Sequence, residues 1–160
     1  MTAFLSNIKE KTEPFKGVLY FIIILLCAHF FWKYTITGDE GSEVVTFFGL
    51  NISAPFNFMI SHVAGSIHKA LIFFGFDITA YGTTLVFPNG NGVSVVWGCS
   101  GIKQMYIFFC IIAFYKGNWK NKLWYIPLGF IILDLYNILR IFLIAIAVEN
   151  HRDWFEFLHG

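Results

Sequence analysis

The sequence predicts a mainly α-helical, polytopic integral membrane bundle, with one interfacial amphipathic helix and a short β-hairpin outside the membrane. Three observations predict it. The chain of 160 residues is 57% hydrophobic and only 13% charged, against roughly 25% charged in a soluble domain, so it lacks the polar side chains to cover a globule in water. Long apolar runs recur, bounded by lysines and aromatic residues. Between them lie a helical stripe of alternating character and a Pro-Asn-Gly-Asn-Gly turn flanked by β-branched residues. The net charge of +1 argues neither for nor against nucleic acid, but the lack of a concentrated basic patch argues against it as a partner; lipid is the expected solvent.

The first span covers about 18–35 and follows a tail containing Lys9, Lys11 and Lys16. Bulky "HFFWKYTITGDE" follows it, where a cleaved leader would need small residues, so the span is read as retained. The acidic, glycine-containing stretch "TGDEGSEV" reads as an aqueous loop. From about 55 to 76, Phe56, Met59, Ile60, Val63, Ile67, Leu71 and Phe74 recur at helical spacing, with Ser61, His62, Ser66, His68 and Lys69 largely opposite. Such a helix is suited to lying in the membrane interface. Residues 83–97 read as a hairpin, which has unpaired edges and stays out of the hydrocarbon. Spans two and three cover about 98–115 and 123–148, separated by "KGNWKNK".

Lysine-rich segments stay cytoplasmic. The tail and "KGNWKNK" therefore share a side, and an even number of spans separates them. Spans one and two satisfy this, and the segment 38–97 then lies outside, with the amphipathic helix on the outer surface of the cytoplasmic membrane.

Of the three cysteines, Cys27 and Cys110 sit in apolar runs and are expected only to pack. Cys99, in "VVWGCSGIKQM", falls at the outer end of span two and in its first helical turn. Unpaired N–H groups there favour a thiolate. Gly98 and Gly101 allow close backbone approach, and Ser100 is placed to cap. The same residues are also compatible with a plain turn entering a helix. In span three, Asp134, Asn137 and Arg140 are spaced by three and share a broad face. Charged groups inside a membrane usually face the bundle interior. Arg140 falls roughly 25 Å along the helix from Leu123 at about 1.5 Å per residue, level with Cys99. Asp134 is expected to pair with Arg140 and hold two helices together. His29 reads as an interface residue, and His62 and His68 as solvated. His151 and His159 follow span three, and either is placed to approach Cys99 and Arg140. A thiol, an imidazole and a guanidinium at one membrane face suit acyl transfer. No cofactor or metal is expected, since no histidines pair on facing spans at matching depth.

At these residues the sequence resembles the exosortase/archaeosortase family of membrane-embedded cysteine transpeptidases. The resemblance rests on "CSGI" at Cys99–Ile102, on "NILRI" at Asn137–Ile141, on a histidine after that span and on the hairpin-like stretch before the cysteine. It covers roughly residues 81–160. It implies that Cys99 is the nucleophile, that Arg140 is the family's arginine and that His159 is its histidine, with His151 as the neighbouring alternative. Ser100, Gly101, Asn137 and Asp134 would support them. It implies a substrate: an exported protein with a C-terminal signal made of a short motif, a hydrophobic span and a basic cluster. Cleavage near the motif, at the outer face of the cytoplasmic membrane, would pass the new carboxyl end through a cysteine thioester to an acceptor. The resemblance also leads to the expectation of a further span after His159, which this sequence does not contain. A non-catalytic membrane subunit of a secretion or surface-assembly system is the alternative, and it predicts an unreactive thiol at Cys99.

Overall fold

The computed structural model describes residues 16–38 and 44–150. Helix α1 (Lys16–Thr35) buries a single stripe, Ile24, Ala28, Trp32 and Thr35, which recurs once per turn. Its other apolar side chains, Ile23, Leu26 and Phe31 among them, are exposed. An uncovered apolar face of that extent needs lipid or protein against it. At the end of α1 the Thr35 hydroxyl donates back to the Phe31 carbonyl at 2.7 Å.

The chain then enters an antiparallel meander, β1 (Ile36–Gly38), β2 (Val45–Phe47) and β3 (Leu50–Asn51), with Thr46 opposite both Thr37 and Asn51. The expected aqueous loop is thus flanked by strands. They are three residues long or shorter, too short to carry a readable period of two.

Helix α2 (Ser53–Phe73) is the amphipathic helix. Its first turn is stitched to the meander, since the Ser53 hydroxyl accepts the Val45 N–H at 2.9 Å and Asn51 Oδ1 accepts the Ser53 N–H at 2.9 Å. Phe56, Ile60, Val63, Ala64, Ile67 and Leu71 are buried. They pack with Trp32, Val45, Leu85, Phe87, Val95, Ile141 and Ala145. This corrects the expectation of a helix lying with its apolar face in the membrane interface: that face is the centre of the protein core. Amphipathicity shows that a face is covered but not what covers it.

A second antiparallel sheet follows, in the order β4 (Thr79–Tyr81), β5 (Thr84–Val86), β6 (Gly92–Ser94). Residues 83–97 therefore hold two strands of three. The turn between β5 and β6 clamps the far end of the last helix. Asn89 Nδ2 donates to the Glu149 carbonyl and Asn91 Nδ2 to the Val148 carbonyl, each at 3.1 Å, serving carbonyls that the helix end leaves unpaired.

Helix α3 (Ile102–Phe114) and helix α4 (Trp119–Asn150) complete the chain. Two helices, Lys16–Thr35 and Trp119–Glu149, are long and apolar enough to cross a membrane. The expected second span at 98–115 is shorter than predicted: α3 has 13 residues, about 20 Å of rise against a hydrocarbon layer of about 30 Å. The physical reason is Gly101, whose φ of +78° belongs to the left-handed region and interrupts the helix.

α3 runs antiparallel to α1. Gly17 lies against the Tyr115 hydroxyl at one end, and Trp32 meets Tyr106 with ring centroids 5.3 Å apart towards the other. Gly129 in α4 leaves the space that the Phe108 ring of α3 occupies. Lys16 and Lys116 line one groove with Gly17 and Tyr115, while both sheets and Cys99 gather at the opposite end.

Lys122 is a buried cation, 8% exposed. Its Nζ donates to the Ala113 carbonyl at 2.8 Å and to the Tyr115 carbonyl at 2.7 Å, and it lies 4.7 Å from the centre of the Trp119 ring. It closes the C-terminal end of α3, where a cation is favoured. Lys122→Met is expected to destabilise the protein by about 2 kcal/mol through loss of charge-assisted bonds; thermal unfolding in detergent checks this, and an unchanged midpoint would show that the lysine is no cap.

Candidate active site

After β6 the chain is pinned to the second sheet by the Val95 N–H, which donates to the Thr83 carbonyl at 3.0 Å. It then tightens into a 3₁₀ turn, Trp97–Cys99. The Trp97 indole packs edge-on against Phe56 of α2. Cys99 closes the turn, its N–H donating to the Val96 carbonyl at 2.8 Å. Its half-buried side chain packs against the main core.

Cys99 thus precedes α3 instead of lying in its first turn. The residues between them explain the break. Ser100 is 1% exposed, and its hydroxyl accepts the Ile102 N–H at 3.4 Å, the capping role expected of it. Gly101 then reverses the chain in the left-handed region, and a Cβ there would lie 3.2 Å from Asn137 Nδ2. Only glycine combines that φ with that approach.

Asn137, 6% exposed, donates from Nδ2 to the Cys99 carbonyl at 2.8 Å. The bond joins the stretch around the cysteine to the "NILRI" stretch of α4. With both its N–H and its carbonyl engaged, Cys99 has a fixed backbone, and χ1 alone aims Sγ. Arg140 stands one turn beyond Asn137 on α4. Its side chain is exposed and has no ion-pair partner among the described residues.

The expected Asp134–Arg140 pair is not formed. Asp134 Oδ2 instead lies 2.9 Å from His62 Nε2 of α2. Six residues along a helix place two side chains about 9 Å apart in rise and about 120° apart around the axis, which is too far for a direct pair. His62, expected to be merely solvated, is therefore tied to α4 by a contact that the sequence pattern did not reveal. Its partner lies 72 residues away, and no local spacing signals such a contact.

His151 and His159 lie outside the described residues. His29 of α1 packs edge-on against Phe30, and no bond joins His68 to the cysteine. Cys110 is buried against Ile24 and Ala28, whereas Cys27 is exposed on the apolar face of α1.

The structure thus brings Cys99, Ser100, Gly101 and Asn137 together, with Arg140 and the His62–Asp134 pair one turn to either side along α4. The sequence profile described as transmembrane exosortase matches residues 42–160, from before β2 through the end of the chain. No curated protein and no solved structure matches.

Proposed function

The chain belongs to the transmembrane exosortase family, generally a family of cysteine transpeptidases, and from that premise we propose that it cleaves C-terminal sorting signals of exported proteins at the outer face of the cytoplasmic membrane. In this reading Cys99 Sγ attacks the carbonyl carbon of the scissile amide. The C–N bond breaks, the leaving amine takes up a proton, and a thioester remains on Cys99. An acceptor nucleophile, or water, then displaces the thiolate. The Arg140 guanidinium stabilises the oxyanion of each tetrahedral intermediate. The histidine at the family's position, His159, is the carried-over proton carrier.

The observation that supports this reading most is the hydrogen bond from Asn137 to the Cys99 carbonyl, 2.8 Å long and spanning 38 residues of sequence. It joins the two motifs on which the chemistry depends. The shared groove of Lys16 and Lys116, at the end away from Cys99, supports a multi-pass arrangement with the lysines inside and the thiol outside.

The test is co-expression with a surface protein bearing a hydrophobic C-terminal tail. Tail removal is expected from the parent chain and not from Cys99→Ala. Equal processing by both would leave "WGCSG" as a helix-entry turn only and would end the enzyme reading.

A further inference from the structure

We propose that the furrow between α1 and α3 binds an anionic phospholipid of the cytoplasmic leaflet, with its phosphate at Lys16 and Lys116 and an acyl chain along α1. The site rests on the multi-pass arrangement with the lysines inside, and not on the Cys99 thiol.

The furrow has two connected parts. At its mouth lies a cavity of about 440 Å³, lined by Lys16, Tyr20, Tyr115 and Lys116 among others. Tyr20 and Ile23 also line a second cavity of about 480 Å³, which continues past Cys27 and Ala28 to Phe31. Each volume is in the range of a small-molecule site. From Lys16 to Phe31, α1 rises about 22 Å at about 1.5 Å per residue. That is the depth of one leaflet with its headgroup layer, half of a full bilayer of about 40–45 Å.

The chemistry changes along the furrow in the order that a phospholipid does. The mouth offers two ammonium groups and two phenolic hydroxyls, all able to donate to phosphate oxygens. The Tyr115 hydroxyl lies against Gly17, where a Cβ would stand 3.4 Å away, so the two lysine-bearing segments meet there. Lys122, not Lys116, serves the Ala113 and Tyr115 carbonyls at the end of α3. The acids among the described residues are Asp77, Asp134 and Glu149, and none lines either cavity. Beyond Tyr20 the trench is walled by apolar side chains, with the thiols of Cys27 and Cys110 and the Tyr106 ring.

Charge selects the occupant. Basic pockets between spans on the cytoplasmic side hold anionic headgroups. The sorting tail expected as substrate carries a basic cluster, which would bring like charge to Lys16 and Lys116. A zwitterionic lipid cancels its own phosphate charge and gains less from the lysines. The acyl chain would run beside Ile24, Ala28 and Cys110, where α1 and α3 pack.

The experiment uses the purified full chain with Cys99→Ala in detergent. Native mass spectrometry measures its retention of phosphatidylglycerol, phosphatidylcholine or inorganic phosphate. Phosphatidylglycerol is expected to be held about 10- to 30-fold more tightly than phosphatidylcholine, the share of two lysines near an anionic headgroup. Phosphate alone is expected not to be retained. Lys16→Gln with Lys116→Gln should abolish the preference. Both lysines are exposed, so the unfolding midpoint in lipid-free detergent should stay that of the parent. Cys27→Trp fills the trench from an exposed position and should weaken retention at least about 10-fold with both lysines in place. Equal retention of the two lipids would overturn the proposal, since an ordinary lipid annulus predicts it. Retention indifferent to Cys27→Trp, or phosphate held as well as lipid, would reduce the site to surface adsorption and overturn it too. A synthetic tail peptide with its basic cluster, retained by the parent and lost in Cys27→Trp, would give the furrow to the sorting signal instead. None of these results touches Cys99 as nucleophile. Tail removal that survives Cys99→Ala would end the enzyme reading and leave the lipid result standing.

Discussion

Asn137→Leu is expected to lower tail removal by about 100-fold, although the side chain touches no reacting atom. Leucine fills nearly the same volume but has no N–H for the Cys99 carbonyl. That carbonyl then lacks its donor at a position where Asn137 itself is only 6% exposed, at a cost of about 1–3 kcal/mol. The larger effect is positional. The Asn137 amide is also the surface against which Gly101 packs, so its loss frees the turn that aims Sγ. A displacement of about 1 Å in a reacting group is enough for a 100-fold loss. Both tail removal and thermal stability should therefore fall together. A parent-like rate in Asn137→Leu would show that Cys99 is positioned by other contacts.

Arg140→Ala is expected to show the opposite signature. The guanidinium is exposed and has no ion-pair partner among the described residues, so its removal should leave the unfolding midpoint within experimental error. Tail removal should nevertheless fall by about 100- to 1,000-fold, the usual loss when an oxyanion donor is deleted. Arg140→Lys keeps the charge without the planar fork and should recover only part of the rate. A stability loss without a rate loss would identify Arg140 as a structural residue. Together the two variants separate holding the nucleophile from stabilising the charge it creates.

Much of this arrangement was legible in the sequence, and the exceptions have physical reasons. The apolar runs announced α1 and α4 because a lipid-facing helix needs nearly every residue to be apolar. The stripe of α2 was readable, but its partner was not, since burial in protein and burial in lipid select the same side chains. The first meander escaped notice because its strands are too short to show alternation. The start of α3 was misplaced by four residues because "GCSG" suits a helix entry equally well, and only the left-handed φ of Gly101 fixes the break. Lys122 resembled a loop lysine until its carbonyl partners were visible. The Cys99–Asn137 contact was foreshadowed by two short motifs, whereas His62 and Asp134 meet only through tertiary packing.

The central claim is that the Cys99 thiol carries the cleaved chain as a thioester. Its most direct test is mass spectrometry of the Cys99 peptide after co-expression with a tailed surface protein, with and without hydroxylamine. The account predicts an acyl adduct on Cys99 that hydroxylamine removes, absent from Cys99→Ala. Tail removal at the parent rate with no adduct on Cys99, or with the adduct on another residue, would contradict it.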